Sequence, residues 1–212
     1  MKHTIQQELY GIIAFVAAIW LVFILGRVLP FDINSLGVTP RTLVGLVGIP
    51  ATPFLHANLH HLLSNTVPLF VLLALLAGSN ARSWEIVIEV VLLGGLLLWL
   101  FGRHATHVGA SGLIFGLVVF LLVSGGLEKR IIPLIVSVVV GFLYGGTLLS
   151  GVLPRLGSSV SWDGHLCGAI AGGIIAYVLT GKRGRLAIHV AGEQNHDLTP
   201  RTSPGVAPGV DE

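Results

Sequence analysis

Six apolar segments, at about residues 10–29, 59–79, 84–102, 110–126, 131–150 and 164–181, constrain the fold of this chain more than any other feature. Most approach the roughly 20 residues that a helix needs to cross the hydrocarbon core of a bilayer. Inside lipid, backbone N–H and C=O groups find no water, so segments of this length and polarity satisfy them as helices. The expected fold class is an all-α membrane protein, a six-transmembrane-helix bundle. Composition excludes the soluble alternative: 53% of the residues are apolar and only 10% charged, against about 25% charged in soluble domains.

The fourth segment departs from the pattern. From Ser111 to Val123 it offers about 13 residues before Ser124-Gly125-Gly126, or roughly 20 Å of helix against a core of about 30 Å. It cannot cross alone. The missing depth falls to Arg103-His104-Ala105-Thr106-His107-Val108, and non-helical polar chain at that depth is tolerated only where protein or a wet cavity surrounds it. The fourth helix is therefore expected to be short and to start inside the membrane, with Ser111 at its N-terminus facing a cavity open to the non-cytoplasmic side. Residues 30–55 mix Pro30, Pro40, Pro50 and Pro53 with Leu, Val and Ile, and read as a loop lying partly in the membrane interface.

An even number of spans puts both termini on one side. Lys2, Arg82, Lys129, Arg130, Lys182, Arg183 and Arg185 share that side, and Arg27, Arg41, Arg103 and Arg155 take the other. The excess marks the termini as cytoplasmic. The first apolar run exceeds the ~7–15-residue core of a signal peptide and has no A-x-A site before Pro30, so it reads as a retained span. Residues 1–185 then form the membrane domain. Residues 186–212, rich in Gly, Pro, Thr, Asp and Glu without apolar periodicity, read as a disordered cytoplasmic tail. The single cysteine, Cys167, excludes an internal disulfide and a Cys-rich metal site and reads as a small core residue. The membrane region has no cluster of Lys and Arg of the kind that binds nucleic acid.

Polar side chains within spans are expensive and are functional candidates by default. Three groups qualify. His61 and Asn65 lie four apart on one face at the start of the second span, Ser111 sits within Gly109-Ala110-Ser111-Gly112, and His165 stands at the non-cytoplasmic start of the sixth span. Gly112 with Gly116 and Gly168 with Gly172 form G-x-x-x-G faces, which let helices approach closely. Each pair begins just after the serine or the histidine, on helices running in the same direction, so the two side chains can come within reach. A serine hydroxyl is a weak nucleophile unless a neighbouring base takes its proton, and neutral imidazole suits that role near pH 7. An oxyanion formed at Ser111 needs preorganised donors. The Ser111 backbone N–H at a positive helix end, the Asn65 amide and the His61 ring are suitable types. No carboxylate is required, and Asp163 reads as a solvated loop acid rather than a third member of a triad.

The H-x-x-x-N of His61 and Asn65, the G-x-S-G of Gly109 to Gly112 and the G-H-x-x-G-x-x-x-G of Gly164 to Gly172 resemble the motifs of the rhomboid family of intramembrane serine proteases, over roughly residues 10–181. The resemblance implies a rhomboid-like bundle, a Ser111–His165 dyad and an oxyanion hole from His61, Asn65 and the Ser111 amide. It implies hydrolysis of single-pass transmembrane substrates near their outer ends, lateral approach between the second and fifth spans, and small residues such as Ala before the cut. It also implies a cavity role for His56, with Gly109, Gly112, Gly168 and Gly172 supporting the site. Phe115 stands where many bacterial members have a Tyr that packs on the base. The Trp-Arg pair common in the family's first loop is absent, and Arg41 is the candidate for a related anchoring role.

Two other functions compete. Rhomboid-like proteins that bind membrane clients without cutting them typically lack the serine or the histidine, and both stand in this chain. Nine histidines invite a metal protease or a transporter. No H-E-x-x-H occurs, however, and the acidic residues of the spans are Glu85 and Glu89, near the cytoplasmic end of the third. The expected partners are thus a transmembrane substrate and the bilayer, with no metal and no cofactor. His60, about 100° around the helix from His61, is expected to face headgroups or the first loop, and His104 and His107 to hydrate or shape the cavity or to serve a purely structural role.

Overall fold

A computed structural model describes residues 5–80, 82–128, 130–154 and 161–197, with side chains described as far as Gly181. Lys2, Lys129, Arg155, the side chains of Lys182, Arg183 and Arg185, and residues 198–212 of the expected tail lie outside that description. The described chain is helical: α1 (Ile5–Val28), α2 (Leu43–Ala51), α3 (Leu59–Ser79), α4 (Ser83–Phe101), α5 (Ser111–Glu128), α6 (Ile131–Val152) and α7 (Trp162–Asp197). Six of these helices, all except α2, are long and apolar enough to cross a membrane, as in a multi-pass membrane protein.

α5 lies at the centre, against α3, α4, α6 and α7. Its residues from Leu113 to Val118 are buried without a break, so the helix shows apolar side chains all round, as a helix enclosed by others must. α1 and α6 are peripheral and keep large apolar side chains outward, Phe142 being 88% exposed. α1 is tied to the bundle at one end by the buried pair Glu8 and Ser83, whose hydroxyl donates to the carboxylate at 2.8 Å.

Two helix ends differ from the sequence expectation. α5 starts at Ser111 but runs through Gly125-Gly126 to Glu128, giving 18 residues, or about 27 Å. The glycines do not end it because α6 packs there: a Cβ at Gly125 would collide with Ser137 and the Pro133 carbonyl. α7 continues to Asp197, past the expected boundary at residue 185. Residues 182–197 contain no proline, and a helix already nucleated by its membrane portion gains one hydrogen bond per added residue.

The first loop is ordered by local caps and by contacts to the α4 end. Asp32 caps a short 3-10 turn by accepting from the Asn34 N–H, and Thr42 caps α2 by accepting from the Gly45 N–H at 3.1 Å. α2 leaves Leu43, Val44 and Val47 outward, an apolar face suited to the headgroup boundary. Arg41 anchors the loop, its guanidinium donating to the carbonyls of Leu100 at 3.2 Å and Gly102 at 2.9 Å. Its φ of 60° lies in the left-handed region, a cost of about 1–2 kcal/mol that these bonds offset.

Candidate active site

Ser111 opens α5 two residues after a glycine that no other residue can replace. Gly109 has φ +116°, and a Cβ there would fall 2.6 Å from His61 Nε2. Its N–H donates to the Thr52 carbonyl at 3.0 Å, which holds the turn against the first loop. The chain thus passes close over His61 and Asn65 immediately before the serine.

His165 sits in the first turn of α7. Ser161 caps that turn: its Oγ accepts from the Gly164 N–H at 3.2 Å and its carbonyl from the His165 N–H at 3.0 Å. α5 and α7 then pack through glycine. A Cβ on Gly168 would run into the Gly112 carbonyl, and one on Gly172 into that of Gly116. The two G-x-x-x-G faces therefore meet, with Ser111 and His165 at the same end of the contact.

The His165 ring is held on two sides. Its Nδ1 lies 3.0 Å from the Gly151 carbonyl, which can only accept, so Nδ1 carries the proton and the neutral ring presents a lone pair at Nε2. Phe115 stacks on one face, with centroids 4.1 Å apart and planes 6° from parallel. Ser111 Oγ makes no hydrogen bond among the described contacts.

His61 and Asn65 share one face of α3, whose start is capped by Asn58 accepting from the His61 N–H at 2.8 Å. Asn65 is buried, and its amide nitrogen donates to His56 Nε2 at 3.0 Å. His56 in turn meets His61 edge to face at 5.1 Å. His56, His61, Asn65 and Gly109 thus form one contiguous group beside Ser111. Burial, with the neighbouring His61 ring adding to it, pushes His56 down to about 4, so the ring is neutral. The nearby Phe54 carbonyl acts the other way, without meeting hydrogen-bond geometry at the buried Nδ1. Beyond His56 lies a polar cavity of about 70 Å³, lined also by Arg27, Asp32 and Asn34, large enough for ordered water. A second, mainly apolar cavity of about 50 Å³ borders Ser111 on the side of α2 and α4.

Asp163 is not the solvated acid that its position suggests. It is 5% exposed and accepts from Arg103 three times: from the backbone N–H at 2.9 Å and Nε at 3.3 Å on Oδ2, and from Nη2 at 3.2 Å on Oδ1. It faces Arg103 and not the His165 ring. His107 is buried here too, its Nε2–H donating to the Arg103 carbonyl at 3.1 Å and its Nδ1 lying 2.7 Å from Ser161 Oγ. His107 also pairs with Val38 of the first loop through two backbone bonds. His60 and His104 are exposed, and Cys167 is buried.

Gly151, Ser161 and Arg103 were not foreseen as site residues. Ser161 carries a signal, a Ser at the N-cap of an apolar helix with Asp in its first turn. Gly151 carries none, because its contribution is a backbone carbonyl and a missing side chain.

A family model described as Rhomboid domain matches residues 43–182. The chain is 43% identical over 179 residues to an uncharacterized protein of Mycobacterium tuberculosis, covering 80% of this chain and 74% of that one. An uncharacterized protein of Mycobacterium leprae is 41% identical over the same length, covering 80% and 70%.

Proposed function

The chain belongs to the rhomboid family, and on that premise we propose that it is an intramembrane serine endopeptidase cutting single-pass membrane proteins in or near their transmembrane helices. One observation carries the proposal. The His165 Nδ1–H donates to the Gly151 carbonyl, so the lone pair lies at Nε2, on a ring stacked against Phe115 in the helix that Ser111 begins.

In this scheme His165 Nε2 takes the proton of Ser111 Oγ as the oxygen attacks the scissile carbonyl. The imidazolium that forms keeps its Nδ1–H on Gly151, and that carbonyl dipole stabilises the added charge in place of a carboxylate. The tetrahedral oxyanion is met by the Ser111 N–H at the positive end of α5, by His61 and by the Asn65 amide. The Asn65 bond to His56 holds that amide in place before substrate arrives. His165 then returns the proton to the leaving amine, and water cleaves the acyl-enzyme with the same base. No metal or cofactor takes part.

A helical peptide bond is covered by its own hydrogen bonds, so the substrate helix unwinds before cleavage, and helix-weakening residues such as Gly favour it. Small residues before the cut and lateral entry between α3 and α6 follow from the family. The proposed catalytic unit is residues 1–185, with cytoplasmic termini and a site opening to the opposite side.

The test is cleavage of a transmembrane reporter in liposomes by wild type and by Ser111→Ala, with a fluorophosphonate label on both. Cleavage and labelling are expected for wild type alone. Equal cleavage by the two proteins would sink the serine-protease reading, and capture of the reporter by wild type without cleavage would favour a rhomboid-like protein that binds clients uncut.

A further inference from the structure

The residue four before Ser111 is bonded to the residue four before His165. His107 Nδ1 and Ser161 Oγ are 2.7 Å apart, and around them the Arg103–Asp163 pair closes a network between the loop that carries the serine and the first turn of α7. Nothing in the hydrolytic scheme uses these four side chains. We propose that Asp163 is a positioning residue: with Arg103, His107 and Ser161 it forms a clasp that sets Ser111 against His165. This inference rests on the proposed roles of those two residues.

The clasp lies where helix packing gives out. The glycine contacts hold α5 and α7 together from Gly112 inward, but Ser111 is the first helical residue, and of residues 103–110 before it only Ala110 joins the helix, its carbonyl accepting from the Ile114 N–H. Their placement depends on other partners. On one side these are Val38 and Thr52 of the first loop; on the side of His165 they are Asp163 and Ser161.

The carboxylate of Asp163 is fully engaged in this. Oδ2 accepts two bonds from Arg103, and Oδ1 accepts from Arg103 Nη2 and lies 3.2 Å from Ser161 Oγ. No lone pair is directed to His165, whose Nδ1 goes to Gly151 instead. The hydrogen-bonded path from Asp163 to the base runs through the backbone, where the Ser161 carbonyl accepts from the His165 N–H. Charge-assisted bonds are the stronger kind and fix direction as well as distance, which a pair of reacting atoms requires. The Arg103 guanidinium also lies over the Trp162 ring, 5.4 Å from its centroid, which restricts it further.

The full chain in liposomes, with a transmembrane reporter, tests the clasp. Asp163→Asn and Arg103→Gln are each expected to lower kcat about tenfold to a hundredfold, with KM changed less than about twofold. The double variant should be no worse than either single. Arg103→Lys, which keeps the charge but loses the fork, should fall between. Wild-type kcat in Asp163→Asn, or losses that multiply in the double variant, would overturn the clasp. An activity-independent readout separates this from the protease proposal. In hydrogen exchange, the amides of residues 103–107 should exchange faster in Asp163→Asn than in wild type, and unchanged exchange overturns the clasp whether or not the wild type cleaves.

Discussion

Phe115 and His165 lie face to face, centroids 4.1 Å apart, while the Gly151 carbonyl takes the Nδ1 proton from the ring edge. One contact fixes the plane of the imidazole and the other its tautomer. In the proposed scheme they take the place of the buried carboxylate of a triad. Stacked pairs contribute about 0.5–1.5 kcal/mol beyond burial, so Phe115→Leu, which keeps apolar volume but loses the plane, should lower kcat by up to about tenfold and leave KM nearly unchanged. Steady-state cleavage of a transmembrane reporter measures both constants. A rise in KM alone would assign Phe115 to substrate binding instead.

Gly151→Ala should be worse. A methyl there would meet Phe115 Cζ and Cε1 and come within 3.4 Å of His165 Nδ1. Overpacking of this kind costs about 1–3 kcal/mol, and the strain would fall on the stack and on the bond that sets the tautomer. We expect kcat below that of Phe115→Leu, with a modest loss of thermal stability in detergent. Wild-type kcat would show that the ring can shift without consequence.

The bundle and the glycine-mediated approach of α5 to α7 were largely legible because both rest on side-chain patterns. Apolar length predicts spans, and the glycine spacings on α5 and α7 predict which faces touch. What escaped is carried by backbone or by partners distant in sequence. The Gly151 carbonyl has no signature in the chain, and Asp163 looks solvated until Arg103, 60 residues earlier, is placed beside it. The C-terminal end of α5 has a misleading signature, because glycine reads as a helix stop whereas at Gly125 it marks the approach of α6.

Asn65 divides its amide between His56 and the space beside Gly109, where the Cβ position is 3.5 Å from Nδ2. If it donates to the oxyanion, Asn65→Ala removes one preorganised donor, a loss of about 100- to 1,000-fold in kcat. KM should change little, because the charge develops after binding. Single-turnover cleavage provides the measurement, and a loss confined to KM would place Asn65 outside the oxyanion site.

His56 should make the fold sensitive to mild acid. Burial first, and the His61 ring second, take it from 6.5 to about 4, so between these values the unfolded chain binds a proton that the folded chain does not. Stability from this group is complete above 6.5 and is lost as pH falls toward 4, at no more than about 1.4 kcal/mol per pH unit. Other groups titrate in the same range, so the informative quantity is the difference between wild type and His56→Gln, which keeps a polar partner for Asn65 without the titration. Thermal unfolding in detergent from pH 7 to 4.5 should show the wild type losing stability faster than the variant. Parallel pH dependence in the two proteins would mean that His56 is not held neutral by the fold.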